Sequence, residues 1–349
     1  MTANNSTKTN ILFLWDVPEQ LERYLREGWS DIADHLNLTI LHPYSREEAL
    51  IHAPTTDVMV GWRPDPELLR KAHNLRLFIN PGAGVQHLIA LFKEVNASRD
   101  HPIVLVNGHG NAYFTAQHAV ALLLSVMNKV VLHHQWMAEG LWRRGDSHGK
   151  STPLRRKVVG LLGYGAVNQK VHRFLSGFDV EFAILKRTWD QTPEFGDGSV
   201  QHYQTHQLAE FMQDSDVVIV AVPSTPETEG LVGEDELQLL GPEGVLVNMA
   251  RGPVVDEEAL YYVLATNAIA GAGVDVWYNY NPDPLEDGRF FPFNNIKHPF
   301  HKLSNIVLSP HRGASPMDDL QRWDEVVRNV KAFRNEKGLV NIVELDRGY

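Results

Sequence analysis

Short apolar runs alternate with amphipathic stretches along almost the whole chain. This rhythm is typical of βαβ units and predicts a mostly parallel sheet. The strands predicted in the first half are residues 11–15, 38–41, 57–61, 75–79 and 104–107. A second series follows at residues 157–162, 181–185, 217–222, 244–248, 271–276 and 306–308. The pattern therefore predicts an α/β protein with two sets of strands.

The helices expected between these strands are less regular. Residues 19–27, 167–175 and 316–335 are amphipathic, and residues 112–134 form one long, mostly apolar stretch that we predict to be a single helix. Residues 278–300 are rich in Pro, Asn and Phe and are predicted to be a long loop. Loops of this length in compact domains are usually functional or disordered, and the aromatic residues argue against disorder.

A glycine-rich turn between a predicted strand and helix indicates a nucleotide site. Gly163 and Gly165, followed by Ala166 and Val167, fit the first part of the dinucleotide fingerprint. The first glycine permits a tight turn, and the second lets the backbone approach a pyrophosphate at the helix N-terminus. The third position is Asn168 instead of Gly or Ala, which we expect to loosen the helix–strand packing slightly.

The residues at the end of the next strand indicate which of the two nicotinamide cofactors is bound. An NAD enzyme usually has Asp or Glu there to bind the ribose hydroxyls. This chain has Lys186, Arg187 and Thr188, which would attract a 2′-phosphate by charge and hydrogen bonding. The alternative is a solvated strand end that carries two positive charges. We favour NADP(H) over NAD(H).

Composition narrows the class of protein. A chain of 349 residues is long enough for two domains, and its net charge of −11 argues against a nucleic-acid-binding protein. The absence of cysteine excludes disulfides and zinc–thiolate sites, and no metal site is expected. The polar first ten residues and the lack of a long apolar run predict a cytoplasmic protein without a membrane span.

Several motifs resemble, in order along the chain, those of the D-2-hydroxyacid dehydrogenase family. They cover residues 80–85, 215–228, 248–257, 273–276 and 309–313. The resemblance implies two Rossmann-like domains with parallel sheets. A cofactor domain, residues 111–311, would be inserted into a flavodoxin-like substrate-binding (catalytic) domain, residues 1–110 and 312–349.

The resemblance also implies roles for individual residues. Arg251 would bind the carboxylate and carbonyl of a 2-oxo acid, and His311 would exchange the proton. The backbone N–H groups of Ala83 and Gly84 would bind the substrate carboxylate. Arg63, at a strand end, is a further candidate for an acidic substrate, although a surface role is equally consistent. The remaining positions implied to contact the cofactor are Val222, Pro223, Thr225, Met249, Ala250 and Asp275.

The chain departs from the family pattern at one catalytic position. The family usually pairs its histidine with a glutamate about 29 residues after the arginine, but here that position is Tyr280. Three alternatives remain open. Tyr280 or Asn281 orients His311 through a neutral hydrogen bond, Asp283 or Glu286 replaces the carboxylate, or proton transfer is impaired.

These observations favour an oxidoreductase that transfers a hydride between NAD(P)H and a 2-oxo acid, working as a reductase. The alternatives are a catalytically weak nucleotide-sensing binding protein of the same fold, or a dehydrogenase acting on formate or phosphite. The long apolar stretch at residues 112–134 predicts a homodimer, because family members pack this helix across a two-fold interface. Burial inside the monomer would explain the same composition.

Overall fold

A computed structural model describes residues 8–189, 200–314 and 318–349 of the chain. The chain forms two compact units. The first comprises Met1–Asn111 and Pro316–Tyr349, and the second comprises Ala112–Ser315. Each unit is built around its own parallel sheet.

The first unit contains a five-stranded sheet. Its strands are β1 (Thr9–Phe13), β2 (Leu36–Thr39), β3 (Val58–Val60), β4 (Leu77–Asn80) and β5 (Val104–Asn107), and its helices include α1 (Glu19–Gly28), α2 (Arg46–His52), α3 (Pro66–Lys71) and α4 (Gln86–Asn96). All strands are parallel, in the order β2-β1-β3-β4-β5. This is the flavodoxin-like order. Because helices cover both faces, β3 and β4 are buried along their whole length.

The second unit contains seven described strands. The helices are α5 (Ala112–Met127), α6 (Val130–Ala138), α7 (Ala166–Leu175), α8 (Leu208–Gln213), α9 (Glu234–Leu240) and α10 (Glu257–Ala265). The strands are β6 (Val158–Leu162), β7 (Glu181–Leu185), β8 (Val200–Tyr203), β9 (Val217–Val220), β10 (Val245–Asn248), β11 (Gly271–Val274) and β12 (Ile306–Leu308). They are parallel, in the order β12-β11-β10-β9-β6-β7-β8. The strand order reverses between β6 and β9, where doubly wound sheets bind their ligands.

The predicted long helix at residues 112–134 is two helices. Lys129 adopts a left-handed conformation with φ 52°, and the axes of α5 and α6 differ by 64°. The carbonyl of Met127 accepts a hydrogen bond from the Thr152 amide at 2.9 Å. The last carbonyl of α5 thus pairs with a distant segment, and the break contains neither Gly nor Pro, so the local sequence does not reveal it.

The last helix is also shorter than predicted. Asp319 caps a turn of 3-10 helix, Leu320–Trp323, through a 2.9 Å hydrogen bond from the Gln321 amide. Helix α11 (Asp324–Arg334) begins only after this turn, and Val326 and Val330 pack into the core of the first unit. The predicted start, residue 316, lies outside the described residues.

The other differences are small. Most predicted strands agree with the observed ones to within two residues, and β8 was not predicted. The predicted loop at residues 278–300 has no regular element before Phe300, and it packs through the buried side chains of Phe293 and Phe300 against Trp277.

No single helix among the described residues is long and apolar enough to cross a membrane. Only the bent pair α5 and α6 meets the length and composition requirement when the two helices are taken together.

Candidate active site

The glycine loop, residues 163–168, comprises the turn after β6 and the first residues of α7. Gly163 has φ +82°, and a Cβ there would lie 2.8 Å from the Ala221 carbonyl oxygen. Gly165 is the N-cap of α7 and faces open space, and no side chain caps the helix. The N–H groups of the first turn are therefore available to an anion, which the helix dipole also favours.

Asn168, in the first turn of α7, holds the turn after β6 through hydrogen bonds. Its side chain is completely buried, and its Nδ2 donates to the carbonyls of Gly163 (2.7 Å), Ile219 (3.1 Å) and Leu162 (3.3 Å). These carbonyls lie on β6, on β9 and in the turn after β6. The expectation that Asn168 loosens the packing is therefore wrong, because the amide links two strands to the helix.

The histidine loop, residues 309–313, follows β12 and is held by a buried carboxylate. Asp275 accepts hydrogen bonds from the Ser309 hydroxyl and from the amides of Arg312 (2.6 Å) and Gly313 (2.8 Å). The Trp277 indole donates to the Ser309 carbonyl at 2.8 Å. Both Asp275 oxygens thus bind the loop, and the nicotinamide contact implied by the resemblance stays a prediction.

His311 is presented on this loop with the strained backbone angle φ +57° and an exposed side chain. Desolvation by the surrounding groups lowers the pKa of His311, Asp275 opposes this shift, and the positive charge of Arg251 adds to it. The Tyr280 ring packs against the imidazole with 5.3 Å between ring centroids. Arg251, Asp275 and Tyr280 are therefore brought together around His311.

The structure shows no hydrogen bond between the described residues Tyr280 and His311. The Tyr280 hydroxyl instead accepts a hydrogen bond from the Trp277 amide at 3.2 Å, and burial raises its pKa. The carboxylate that acts electrostatically on His311 is Asp275, which none of the three sequence alternatives considered. The structure thus supplies a negative charge near the histidine from Asp275, directly after β11.

Arg251 follows β10 and is partly buried. Its Nη1 donates to the Ala250 carbonyl at 2.6 Å, and the Asn248 side chain binds both the Ala250 amide and the Arg251 carbonyl. No ion pair of Arg251 exists within residues 8–189, 200–314 and 318–349. The neighbouring Met249 is buried, and its Cε would lie 3.0 Å from a Cβ at Gly313. The guanidinium is positioned but not neutralised.

The segment at the end of β7 carries Lys186, Arg187 and Thr188. Lys186 Nζ sits 4.3 Å from the ring centre of Trp189, and Arg187 and Thr188 are exposed. A hydrogen bond from the Thr225 side chain is the largest cause that lowers the pKa of Glu227, and the charge of Arg187 lowers it further. Arg187 thus lies on the surface and Lys186 is partly buried, both at the end of β7, the strand next to β6.

The segment after β9 completes this edge of the sheet. Val222 and Pro223 are partly exposed, and Val222 Cγ1 would lie 2.8 Å from a Cβ at Gly163. Thr228 closes the turn, because its hydroxyl donates to the Pro223 carbonyl (2.7 Å) and accepts from the Thr225 amide (2.8 Å). The segments after β6 and β9 are therefore in contact at the point where the strand order reverses.

In the first unit, the loop after β4 presents backbone N–H groups. The Ala83 and Gly84 carbonyls accept hydrogen bonds from the side chains of Asn107 (2.8 Å) and Asn80 (3.3 Å). Their amides donate to no group in the described part of the chain. Arg63, after β3, is exposed and has no ion pair with any described residue. The loop therefore has fixed carbonyls and free donors, which suits an anion.

His118 and Ser309 are functional candidates that the sequence did not identify. His118 Nε2 lies 2.8 Å from Ser309 Oγ and 3.4 Å from Asp275 Oδ1. The two contacting residues are 191 positions apart. Histidine at one helix position carries no signal for such a contact, so only the three-dimensional structure reveals it.

Comparisons with known proteins agree with this geometry. Residues 120–313 match the family model for the NAD-binding domain of D-isomer specific 2-hydroxyacid dehydrogenases. The chain is 30% identical to a glyoxylate reductase of Pyrococcus furiosus over 90% of this chain and 87% of that protein.

Two solved structures show the same fold. One is an NADPH-dependent glyoxylate/hydroxypyruvate reductase of Sinorhizobium meliloti bound to NADP and malonate, with TM-score 0.71, 24% identity and 98% of both chains covered. The other is a D-isomer specific 2-hydroxyacid dehydrogenase of Xanthobacter autotrophicus bound to NADPH, with TM-score 0.74, 23% identity, and 98% of this chain and 100% of that chain covered.

Proposed function

The chain belongs to the D-isomer specific 2-hydroxyacid dehydrogenase family, and from that premise we propose that it reduces a 2-oxo acid to the D-2-hydroxy acid with NADPH. It is an NAD(P)-dependent oxidoreductase, as its glyoxylate reductase relatives are. The observation that carries the assignment is the position of His311. It lies on a loop held by buried Asp275 and within the electrostatic reach of Arg251.

In this proposal His311 and Arg251 divide the chemistry of the carbonyl group. The carbonyl carbon, C2, receives a hydride, and the imidazolium of His311 gives its proton to the carbonyl oxygen, which leaves a neutral imidazole. Arg251 stabilises the negative charge that develops on that oxygen, and its planar fork also suits the carboxylate. We assign the free amides of Ala83 and Gly84 to the substrate carboxylate, and Arg63 as a further cation.

The residues of the second unit fit a dinucleotide. The left-handed Gly163, the open space at Gly165 and the uncapped N-terminus of α7 provide the cradle for a pyrophosphate. When bound there, the cofactor supplies the hydride. Val222, Pro223, Thr225, Met249, Ala250 and Asp275 are the further residues that we assign to this site.

We assign the preference for NADP(H) to the end of β7. Lys186 and Arg187 are positive, Thr188 offers a hydroxyl, and no acidic residue stands in this trio. A 2′-phosphate carries close to two negative charges, so these groups favour it over a ribose hydroxyl. Glu227, which is within electrostatic reach of Arg187, would oppose the phosphate in part.

Oxidation of NADPH, with NADH in parallel, across 2-oxo acids of increasing side-chain size tests the proposal. The wild type should turn over with NADPH more efficiently than with NADH, and His311→Ala should abolish turnover. His206→Gln, which alters an exposed histidine of the same unit, is the matched control and should behave as the wild type.

Other outcomes would point elsewhere. Turnover with NADH alone would support the dehydrogenase activity and contradict the preference for NADP(H) that we assign to Lys186 and Arg187. Tight NADPH binding without turnover across the panel would favour a nucleotide-sensing binding protein. Turnover of formate or phosphite would favour a dehydrogenase acting on one of those substrates.

We propose that the protein is a homodimer, with α6 at its interface. The apolar residues of α5 are explained within the unit, since Ala116, Ala119 and Leu123 are buried in its core. In contrast, α6 has no buried residue, and the side chains of Val130, Met137, Leu141 and Trp142 are 44–74% exposed. An apolar surface of this kind favours association.

Light scattering coupled to size-exclusion chromatography tests the dimer. The wild type should elute with twice the monomer mass, and Val130→Asp with Trp142→Glu should elute as a monomer. The same substitution pair placed at the exposed Ile51 and Ile296 is the control. The cytoplasmic location stays a prediction.

A further inference from the structure

The N-terminal half of α5 packs against the histidine loop. His118 contacts Ser309, and Thr115, one turn earlier, lies 3.6 Å from the position of a Cβ at Gly313. Residues three apart lie on the same face of a helix, so one face of α5 supports both ends of the loop. The loop thus rests on α5 as well as on Asp275.

The hydrogen-bond donors and acceptors in this cluster can be assigned. Asp275 is almost completely buried, at 2% exposure. Burial would raise its pKa, but hydrogen bonds from His118, Ser309 and the Arg312 and Gly313 amides outweigh burial and lower the pKa. The carboxylate is therefore ionised and accepts, so the Ser309 hydroxyl donates to it. Ser309 Oγ must then accept from His118, whose Nε2 carries the hydrogen.

Two imidazoles consequently share one carboxylate. His118 approaches Asp275 Oδ1 at 3.4 Å from the side of α5, and the charge of Asp275 also acts on His311. Among the described residues, the other titratable groups that face His311 are Arg251, after β10, and Tyr280, in the loop after β11. A positive charge on His118 would neutralise part of the field that Asp275 exerts on His311.

We propose that His118 is a positioning residue for His311, acting through Ser309 and Asp275, and that positive charge on His118 weakens the hold of Asp275 on the protonated His311. This proposal rests on the assignment of His311 as the proton donor. His118 does not touch the substrate in this scheme. It fixes the loop through the Nε2 hydrogen bond to Ser309, and a positive charge placed at this position would change the proton affinity of His311.

Four variants separate these effects. His118→Gln keeps an N–H donor that cannot become charged, His118→Lys places a permanent charge there, and His118→Ala removes both. His206→Gln is the matched control on an exposed histidine. Thermal unfolding of each variant identifies any that fails to fold, and the Gln variant keeps the test open if the Ala variant does.

Steady-state kinetics across pH is the first measurement. His118→Ala should lose about tenfold or more in kcat, while KM for the 2-oxo acid changes by less than about threefold, since no substrate contact is removed. His118→Gln should restore kcat to within about threefold of wild type, because the donor to Ser309 is kept. Equal kcat in all variants would overturn the positioning role.

NMR titration of the His311 imidazole is the second measurement, with its signal assigned by its absence in His311→Ala. The midpoint should be lower in His118→Lys than in His118→Gln, by a shift on the order of half a pKa unit. Identical midpoints in the two variants would overturn the shared carboxylate. This measurement needs no turnover. If His311→Ala is as active as the wild type, the assignment of His311 as the proton donor fails, and if the wild type turns over no 2-oxo acid the proposed function fails. In both cases the titration still decides the coupling between the two histidines.

Discussion

The glycine loop and the histidine loop lie in the same unit, but they are shaped in different ways. The glycine loop is shaped by its own residues: Gly163 is left-handed, Gly165 is open, and Asn168 reaches back to carbonyls close by in sequence and to one on β9. The histidine loop is shaped from outside. His118 on α5 and Asp275 and Trp277 after β11 supply its contacts.

This difference decides what a sequence can reveal. A loop that needs glycine at fixed spacing leaves a readable signal. At Gly163 a side chain would be strained, and at Gly165 it would fill the space assigned to the pyrophosphate. A loop held by side chains from other elements leaves none, because the spacing between those side chains is set by the fold. The first loop is thus recognisable in sequence, and the support of the second is visible only in three dimensions.

Asp275→Asn should have the largest effect, and it tests whether the histidine loop depends on a side chain from another element. An asparagine keeps one oxygen and turns its NH2 group, a donor, toward the N–H of either Arg312 or Gly313, so the loop should lose its position. We expect kcat to fall by about 10²-fold or more, with the NADPH dissociation constant changed by less than about threefold. Fluorescence titration with NADPH and steady-state kinetics check this. A large loss of NADPH affinity would instead favour the nicotinamide contact implied by the resemblance.

Gly163→Ala and Gly165→Ala form a matched pair for the glycine loop. At Gly163 an added Cβ would be strained at φ +82° and would meet the Ala221 carbonyl, so the free energy of unfolding should fall by about 2 kcal/mol. At Gly165 the same Cβ enters the open space assigned to the pyrophosphate, so stability should be unchanged while NADPH binds about tenfold more weakly. Urea unfolding and NADPH titration separate the two effects. Equal loss of stability in both variants would contradict this description of the loop.

The cations beside the glycine loop should have a smaller and selective effect. Lys186→Ala with Arg187→Ala should raise KM for NADPH by about tenfold, the size of a lost charge-assisted hydrogen bond, and leave KM for NADH nearly unchanged. Arg155→Ala with Arg173→Ala, which alters cations elsewhere in the same unit, is the control. Parallel losses for both cofactors would show that the two residues do not distinguish the 2′-phosphate.

The pH dependence is the smallest effect that we predict. Desolvation and Arg251 lower the pKa of His311 below its ordinary value of 6.5, and Asp275 offsets this only in part. Reduction needs the protonated imidazole, so kcat/KM should fall as pH rises through this lowered pKa. Oxidation of the hydroxy acid needs the neutral form and should rise through the same pKa. Rate profiles in both directions check the sign, and a midpoint above 6.5 would contradict it.

The fold was largely predictable from the sequence. Buried parallel strands leave continuous apolar runs, so the α/β class and most strands followed from the pattern and are confirmed. The break between α5 and α6, where the Met127 carbonyl pairs with the distant Thr152 amide, was missed because neither Gly nor Pro marks it. Strand β8 was missed because its exposed positions carry Gln201 and His202. Both errors arise where tertiary contacts override the local pattern.

The candidate site was predictable only in part. The structure places Arg251 and Tyr280 near His311, but the Tyr280 hydroxyl binds a backbone amide and Asp275 supplies the charge near His311. The effect of Asn168 was misjudged, since a side chain that binds three carbonyls cannot be inferred from its position in a fingerprint. Motif position located these residues, whereas their contacts depend on neighbours far along the chain.

The most direct test of the account is a single turnover of enzyme-bound NADPH with a 2-oxo acid, in the wild type and in His311→Ala. Fluorescence of the bound cofactor before mixing shows whether both proteins are loaded. We predict that His311→Ala binds NADPH as the wild type does and oxidises it about 10²- to 10⁴-fold more slowly, the range for loss of a general acid. Oxidation at a rate within tenfold of the wild type would contradict the assignment of His311 as the proton donor.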